Sequence, residues 1–212
     1  MVVPRGFAHR AIGDAVVQST RSSKLSTVAG GGDASLRLEL SDAQKRAMLA
    51  FWRETIAVSA RDIFHYTMLF CIEASPKLNE IIACGHYCFR DLTKWPKLNR
   101  ICQAQYKFFE RILIEWEFEE ARVRDAALHL GATHSRYAAY GLKSHFLDIF
   151  QQQFIGLVQR NVNARNMTAE ENNVLISGFT TLTGFVIDVM NVGHSQALKF
   201  NGCPARTKQT ST

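Results

Sequence analysis

Val123-Arg124-Asp125-Ala126-Ala127-Leu128-His129-Leu130-Gly131-Ala132-Thr133-His134 is the stretch on which the fold turns. Val123, Ala127, Leu130 and His134 follow one another at intervals of four, three and four residues, which places all four on one face of a helix. The spacing therefore predicts an inward-pointing imidazole. A buried ring nitrogen left without a partner costs roughly 1–3 kcal/mol, so His134 requires either a hydrogen-bonded place in the core or a ligand. Both readings follow from the residues alone: a satisfied core histidine, or a neutral imidazole coordinating a metal.

The same helical period extends in both directions. Upstream, Ser41 followed by Gln44 is a capping-box pattern, and it opens a helix with Met48, Leu49, Trp52 and Ile56 on one side. A second helix is predicted from Ser59 to Ala74, with Ile63, Phe64, Met68 and Ile72 buried, ending where Ser75-Pro76 disfavours helix. Residues 83–93 read as a loop. Pro96 begins a third helix with Leu98, Ile101, Phe108, Phe109, Ile112 and Leu113 as its apolar face. The helix of Glu119 to Thr133 brings the chain to His134, and two long helices, Leu142–Val162 and Thr168–Leu198, complete it. Sustained period-two alternation is absent, so the expected class is all-α, with an extension over 1–37, a helical domain over 38–199 and a tail over 200–212.

Composition narrows the function. The 212 residues carry a net charge of +6, but residues 1–36 and the stretch after Lys199 each account for +2 of it. The remaining body has no cluster of lysines and arginines interleaved with aromatics, so nucleic acid is not an expected partner. Five cysteines and no secretion-type start favour a reduced, cytoplasmic setting. Val174 to Val192 is apolar but interrupted by Ser177, Thr180, Thr181, Thr183 and Asp188, which predicts a core helix and not a membrane span. No Ser–His–Asp or paired-carboxylate arrangement supports hydrolysis, and no enzymatic activity is expected.

Gln105 is the second polar intruder on an apolar face, 29 residues before His134. That separation accommodates a helix, a turn and a second helix, which could set the two residues on opposite walls of one pocket. Phe108, Phe109 and Ile112 on one wall and Leu130 on the other would offer a planar ligand an apolar slot. A one-residue change of register would put Ala104 in the place of Gln105.

With these residues in view, the sequence over roughly 38–198 resembles a globin of the nematode type. The resemblance rests on Leu40-Ser41-Asp42-Ala43-Gln44 followed by Trp52, on Pro76, on Leu130-Gly131-Ala132-Thr133-His134, on Tyr140-Gly141-Leu142, and on Ile187-Asp188-Val189-Met190-Asn191-Val192-Gly193. The resemblance implies a single globin-like domain holding haem b (iron protoporphyrin IX), with His134 as the proximal iron ligand and metal-binding residue. It places Gln105 at the distal position, where the family donates a hydrogen bond to bound dioxygen. It also places Met68 at the edge of the distal pocket and Leu130 beneath the haem, with Phe109 as part of the apolar surface on the Gln105 side. The implied function is reversible binding of dioxygen, or another diatomic gas, for transport or storage.

Two positions depart from the family pattern. Six residues after Pro76 stands Ile82, where the family has a phenylalanine stacked on the haem, so retention depends on packing unless Phe89 supplies the ring. Leu175 stands near the usual place of a tryptophan on the last helix. Cys84-Gly85-His86-Tyr87-Cys88 lies in the loop beside the expected haem edge and motivates an alternative, a redox-active, gas-sensing or electron-transfer haem protein. A haem-free helical interaction module is the third reading, because a fold does not fix a function.

Overall fold

The computed structural model describes residues 36–85, 91–165 and 167–201. Among them there are helices and turns but no strands, which establishes the all-α class. The expectations placed on the N-terminal extension, Cys88, Phe89 and the tail beyond 201 lie outside the described residues.

Helix α1 (Asp42–Phe51) begins as its capping pattern dictates. The Ser41 hydroxyl accepts from the Gln44 amide, and the Gln44 side chain accepts from the Ser41 N–H at 2.9 Å. The helix continues into a π turn over Trp52–Ile56, closed by the Ala57 N–H donating to the Trp52 carbonyl at 2.8 Å. That turn corrects the predicted start of the next helix. The N–H groups of Ser59 and Ala60 and the Ser59 hydroxyl all donate to the Thr55 carbonyl, so these residues finish α1. Helix α2 therefore starts later, at Ile63, and runs to Ala74. Its predicted buried residues Ile63, Phe64, Met68 and Ile72 are all in the core.

Ser75 is extended, and Pro76 leads into a short helix that the periodicity did not reveal, α3 (Lys77–Ile82). Six residues are too few to display a stripe. Helix α4 (Pro96–Glu110) has its proline in the first turn, where the missing N–H costs no hydrogen bond, and it also continues into a π turn, Arg111–Glu115. Helix α5 (Glu120–His134) passes into a 3-10 turn over Ser135–Tyr140; α6 (His145–Asn163) and the 33-residue α7 (Ala169–Asn201) follow.

Helix α2 packs on α4 and α6, and α7 packs on α1, α5 and α6. The join is aromatic. Phe64 stacks on Phe154 at 5.3 Å between ring centroids and lies 5.1 Å from Phe109, and Phe154 meets Phe179 edge-on. Helix α7 is long and apolar enough to cross a membrane, with a mean hydropathy of 1.4, yet 56% of that window is buried inside the protein. Leu175, Phe179, Leu182 and Val189 supply core contacts, as expected for an interior helix.

The α5–α7 crossing fixes the position of His134. A Cβ at Gly131 would lie 2.0 Å from the Met190 carbonyl oxygen, and one at Gly193 would lie 2.3 Å from that of Leu128. Only glycine permits such backbone contact. The most deeply buried line of α5 is accordingly Val123, Ala127 and Gly131, and Leu130 and His134 lie at its edge, half-buried. The sequence pattern placed Leu130 at the centre of that line because it counted side chains. A glycine that buries backbone does not register in such a count.

Residues 36–40 lie along α5. The Leu38 N–H donates to the Glu120 carboxylate at 3.2 Å, while Arg124 donates to the Leu36 carbonyl and pairs with Glu120 at 2.6 Å. Its guanidinium also covers the Phe185 ring at 5.2 Å. Arg122 pairs with Glu119 at 2.7 Å.

Candidate functional site

His134 closes α5, and the helix orients its ring. Nδ1 lies 2.8 Å from the Leu130 carbonyl oxygen one turn earlier. A carbonyl only accepts, so Nδ1 carries the proton and donates it, which leaves the Nε2 lone pair available when the ring is neutral. Burial favours that neutral form by pushing the imidazole below its ordinary value. The bond to Leu130 opposes this shift, and the charge of His194 on α7 adds to it. A neutral imidazole oriented through Nδ1 is the usual state of a metal-ligating histidine.

His194 is the residue that sequence reasoning missed. Its own helix gives it no context in the sequence that marks it out. The Gly131 and Gly193 contacts bring the two helices together one to three residues away, and His194 then shares a cavity of about 10 Å³ with His134, Ser144 and Asn191. The visible signal was a glycine near a histidine on each of two helices.

Gln105 sits on α4, half-buried, with neighbouring Ala104 exposed. Its amide Nε2 donates to Met68 Sδ at 3.3 Å, and Oε1 is buried without a hydrogen-bond partner. The helices thus bring together two residues chosen from the sequence 37 positions apart. An orphaned amide oxygen is costly, and a donor or polar ligand at this point would relieve it. Phe109, one turn on, is buried against Phe64 and Phe154. Ile82 is buried at the end of α3, and its carbonyl accepts from the Cys84 thiol at 3.9 Å. Leu130 contributes both the carbonyl that orients His134 and a half-buried apolar side chain. The neighbours of His134 come from α6, the turn before it and α7, and the contact of Gln105 comes from α2; the small cavity beside His134 is not lined by Gln105, Met68, Ile82 or Phe109.

The donor set discriminates between kinds of metal. No group of three or more His, Cys, Asp and Glu side chains occurs among the described residues. A bare ion would lack ligands here, whereas an iron already held by a porphyrin needs one axial imidazole, which His134 can supply. One buried imidazole is the donor that a porphyrin-held iron would need from the protein, and the cavity beside it measures about 10 Å³.

The thiols differ in character. Cys71 and Cys102 are buried, and burial pushes each up to about 12. Cys84 is half-buried and accepts a hydrogen bond from Lys97 Nζ at 3.2 Å, with its backbone in the left-handed region at φ 57°. The sequence matches no protein-family model and no curated protein, so the chemistry of the site rests on its own residues.

Proposed function

We propose that this chain is a globin-like haem protein that binds dioxygen reversibly. The observation that carries the reading is the His134 ring, favoured in its neutral form by burial and tied through Nδ1 to Leu130, which leaves Nε2 as the nitrogen that would bind iron. Haem would supply the iron at which a diatomic gas binds. His134 would hold it from one wall, and the Gln105 amide would offer a hydrogen bond from the other. Met68 and Phe109, both buried, would keep water from the distal side. Ile82 would pack on the porphyrin without stacking on it, which makes retention depend on His134 more than in a pocket with an aromatic ring there.

A redox or sensing role is the second reading, and the Lys97–Cys84 contact favours it. A thiol beside an ammonium, two residues from Ile82, would lie near the edge of a haem packed on that isoleucine. Titration with haemin tests the main reading. A Soret band that saturates at one haemin per chain and shifts or vanishes in His134→Ala is expected; no band, or one indifferent to that change, leaves the haem-free module. Slow ferrous autoxidation unchanged by Cys84→Ser supports reversible carriage, and a thiol-dependent rate favours the redox role.

A further inference from the structure

Helix α4 has a second functional face. Gln105 turns toward Met68, while the next residue, Tyr106, lines a cleft of about 650 Å³ between α4 and the first turn of α2. The cleft has an aromatic wall and a cationic mouth. Phe64 and Tyr106 meet edge-on at 6.4 Å between centroids to form the wall. Arg61, Lys107 and His65 supply the basic groups, against one acid, Asp62. Neither Arg61 nor Lys107 has a carboxylate partner among the described residues, and the Arg61 guanidinium lies 6.0 Å above the Tyr106 ring.

Two further features lie at the edge of the cleft. The Tyr106 hydroxyl is shielded from solvent without a hydrogen-bond partner. The start of α2 has no side-chain cap, since the Asp62 carboxylate makes no capping bond, and the Ile63 N–H donates to the Ala60 carbonyl at 3.0 Å. A volume of several hundred Å³ suits a small organic molecule, and the lining suits one with a flat apolar body and a negative end.

We propose that this cleft is a binding site for aromatic carboxylates, with the ring against Tyr106 and the carboxylate at Arg61 and Lys107. The site is separate from that of His134 and does not depend on haem.

The test uses the full chain without haem, titrated with 2-naphthoate and, as an uncharged comparator, 2-naphthylmethanol, with backbone amide chemical shifts as the readout. The expected result is saturable shifts at Phe64, His65 and Tyr106 with naphthoate, and binding weakened ~10-fold or more in the double variant Arg61→Gln, Lys107→Gln. Both side chains are exposed, so the double variant keeps its fold. Tyr106→Leu, which removes the aromatic face of the cleft, is expected to weaken naphthoate binding severalfold. Equal binding of the neutral alcohol overturns the proposal, as do indifference to the double variant and shifts confined to Leu130 and His134.

Discussion

Gly131→Ala sets two effects of opposite sign against each other at one atom. Alanine is the better helix former by about 1 kcal/mol, so local propensity alone predicts a more stable α5. The structure predicts the reverse. The new Cβ would stand 2.0 Å from the Met190 carbonyl oxygen and 2.8 Å from the Met190 Cα, against an ordinary contact of 3.4 Å or more. Relief requires α5 and α7 to separate by roughly 1 Å, and neither side of the contact is a side chain that can rotate away. Overpacking costs about 1–3 kcal/mol when side chains can adjust, and a backbone contact belongs at the upper end. After the gain in propensity, a net loss of about 2 kcal/mol remains, or about 4–8 °C in Tm for a chain of this size. Urea unfolding followed by circular dichroism measures it. Gly156→Ala on α6 is the control, since its Cβ would meet nothing within 4 Å, and a gain of about 0.5–1 kcal/mol is expected. Equal gains in both variants would refute the account of the α5–α7 crossing.

The remaining predictions concern titration and reactivity. The folded haem-free chain depresses the His134 imidazole below its ordinary 6.5, so the unfolded chain binds the extra proton first and stability falls as pH drops below 6.5. His134→Gln should flatten that part of a stability-against-pH curve, and an unchanged slope would count against a buried neutral ring. Glu120 is held below its ordinary 4.5, chiefly by the Arg124 hydrogen bond, so its contribution is present above that value and lost as pH falls further. Arg124→Ala should remove this acid-side loss and release residues 36–40, read as faster amide exchange at Leu38. Cys71 and Cys102, pushed up to about 12 and buried, should resist a thiol reagent at pH 8 until the chain unfolds, with the half-buried Cys84 modified before either of them. Mass spectrometry of the labelled peptides gives the order, and early labelling of Cys71 contradicts the described core.

Helices with side-chain stripes were legible in the sequence, and those built on other terms were not. The Ser41–Gln44 cap, the Pro96 start and the burial of Phe64 and Met68 all follow from local rules that act within a turn or two. The delayed start of α2 escaped because a π turn changes the hydrogen-bond count without changing the hydrophobic pattern. The Gln105–Met68 contact joins two positions that the sequence had singled out, since each lay at a predicted place on its own helix. His194 depends on how α5 and α7 cross, and a crossing made by Gly131 and Gly193 leaves no apolar residue to be counted; the cleft at Tyr106 depends on how α4 meets the start of α2.

The measurement that bears most directly on the central claim is the absorption spectrum of the ferrous, haem-loaded protein with His134→Gly, recorded with and without added imidazole. If His134 Nε2 is the axial ligand, the glycine variant loses the wild-type spectrum and free imidazole restores it by filling the vacated space. A glycine variant whose spectrum matches the wild type without imidazole would contradict the assignment of His134.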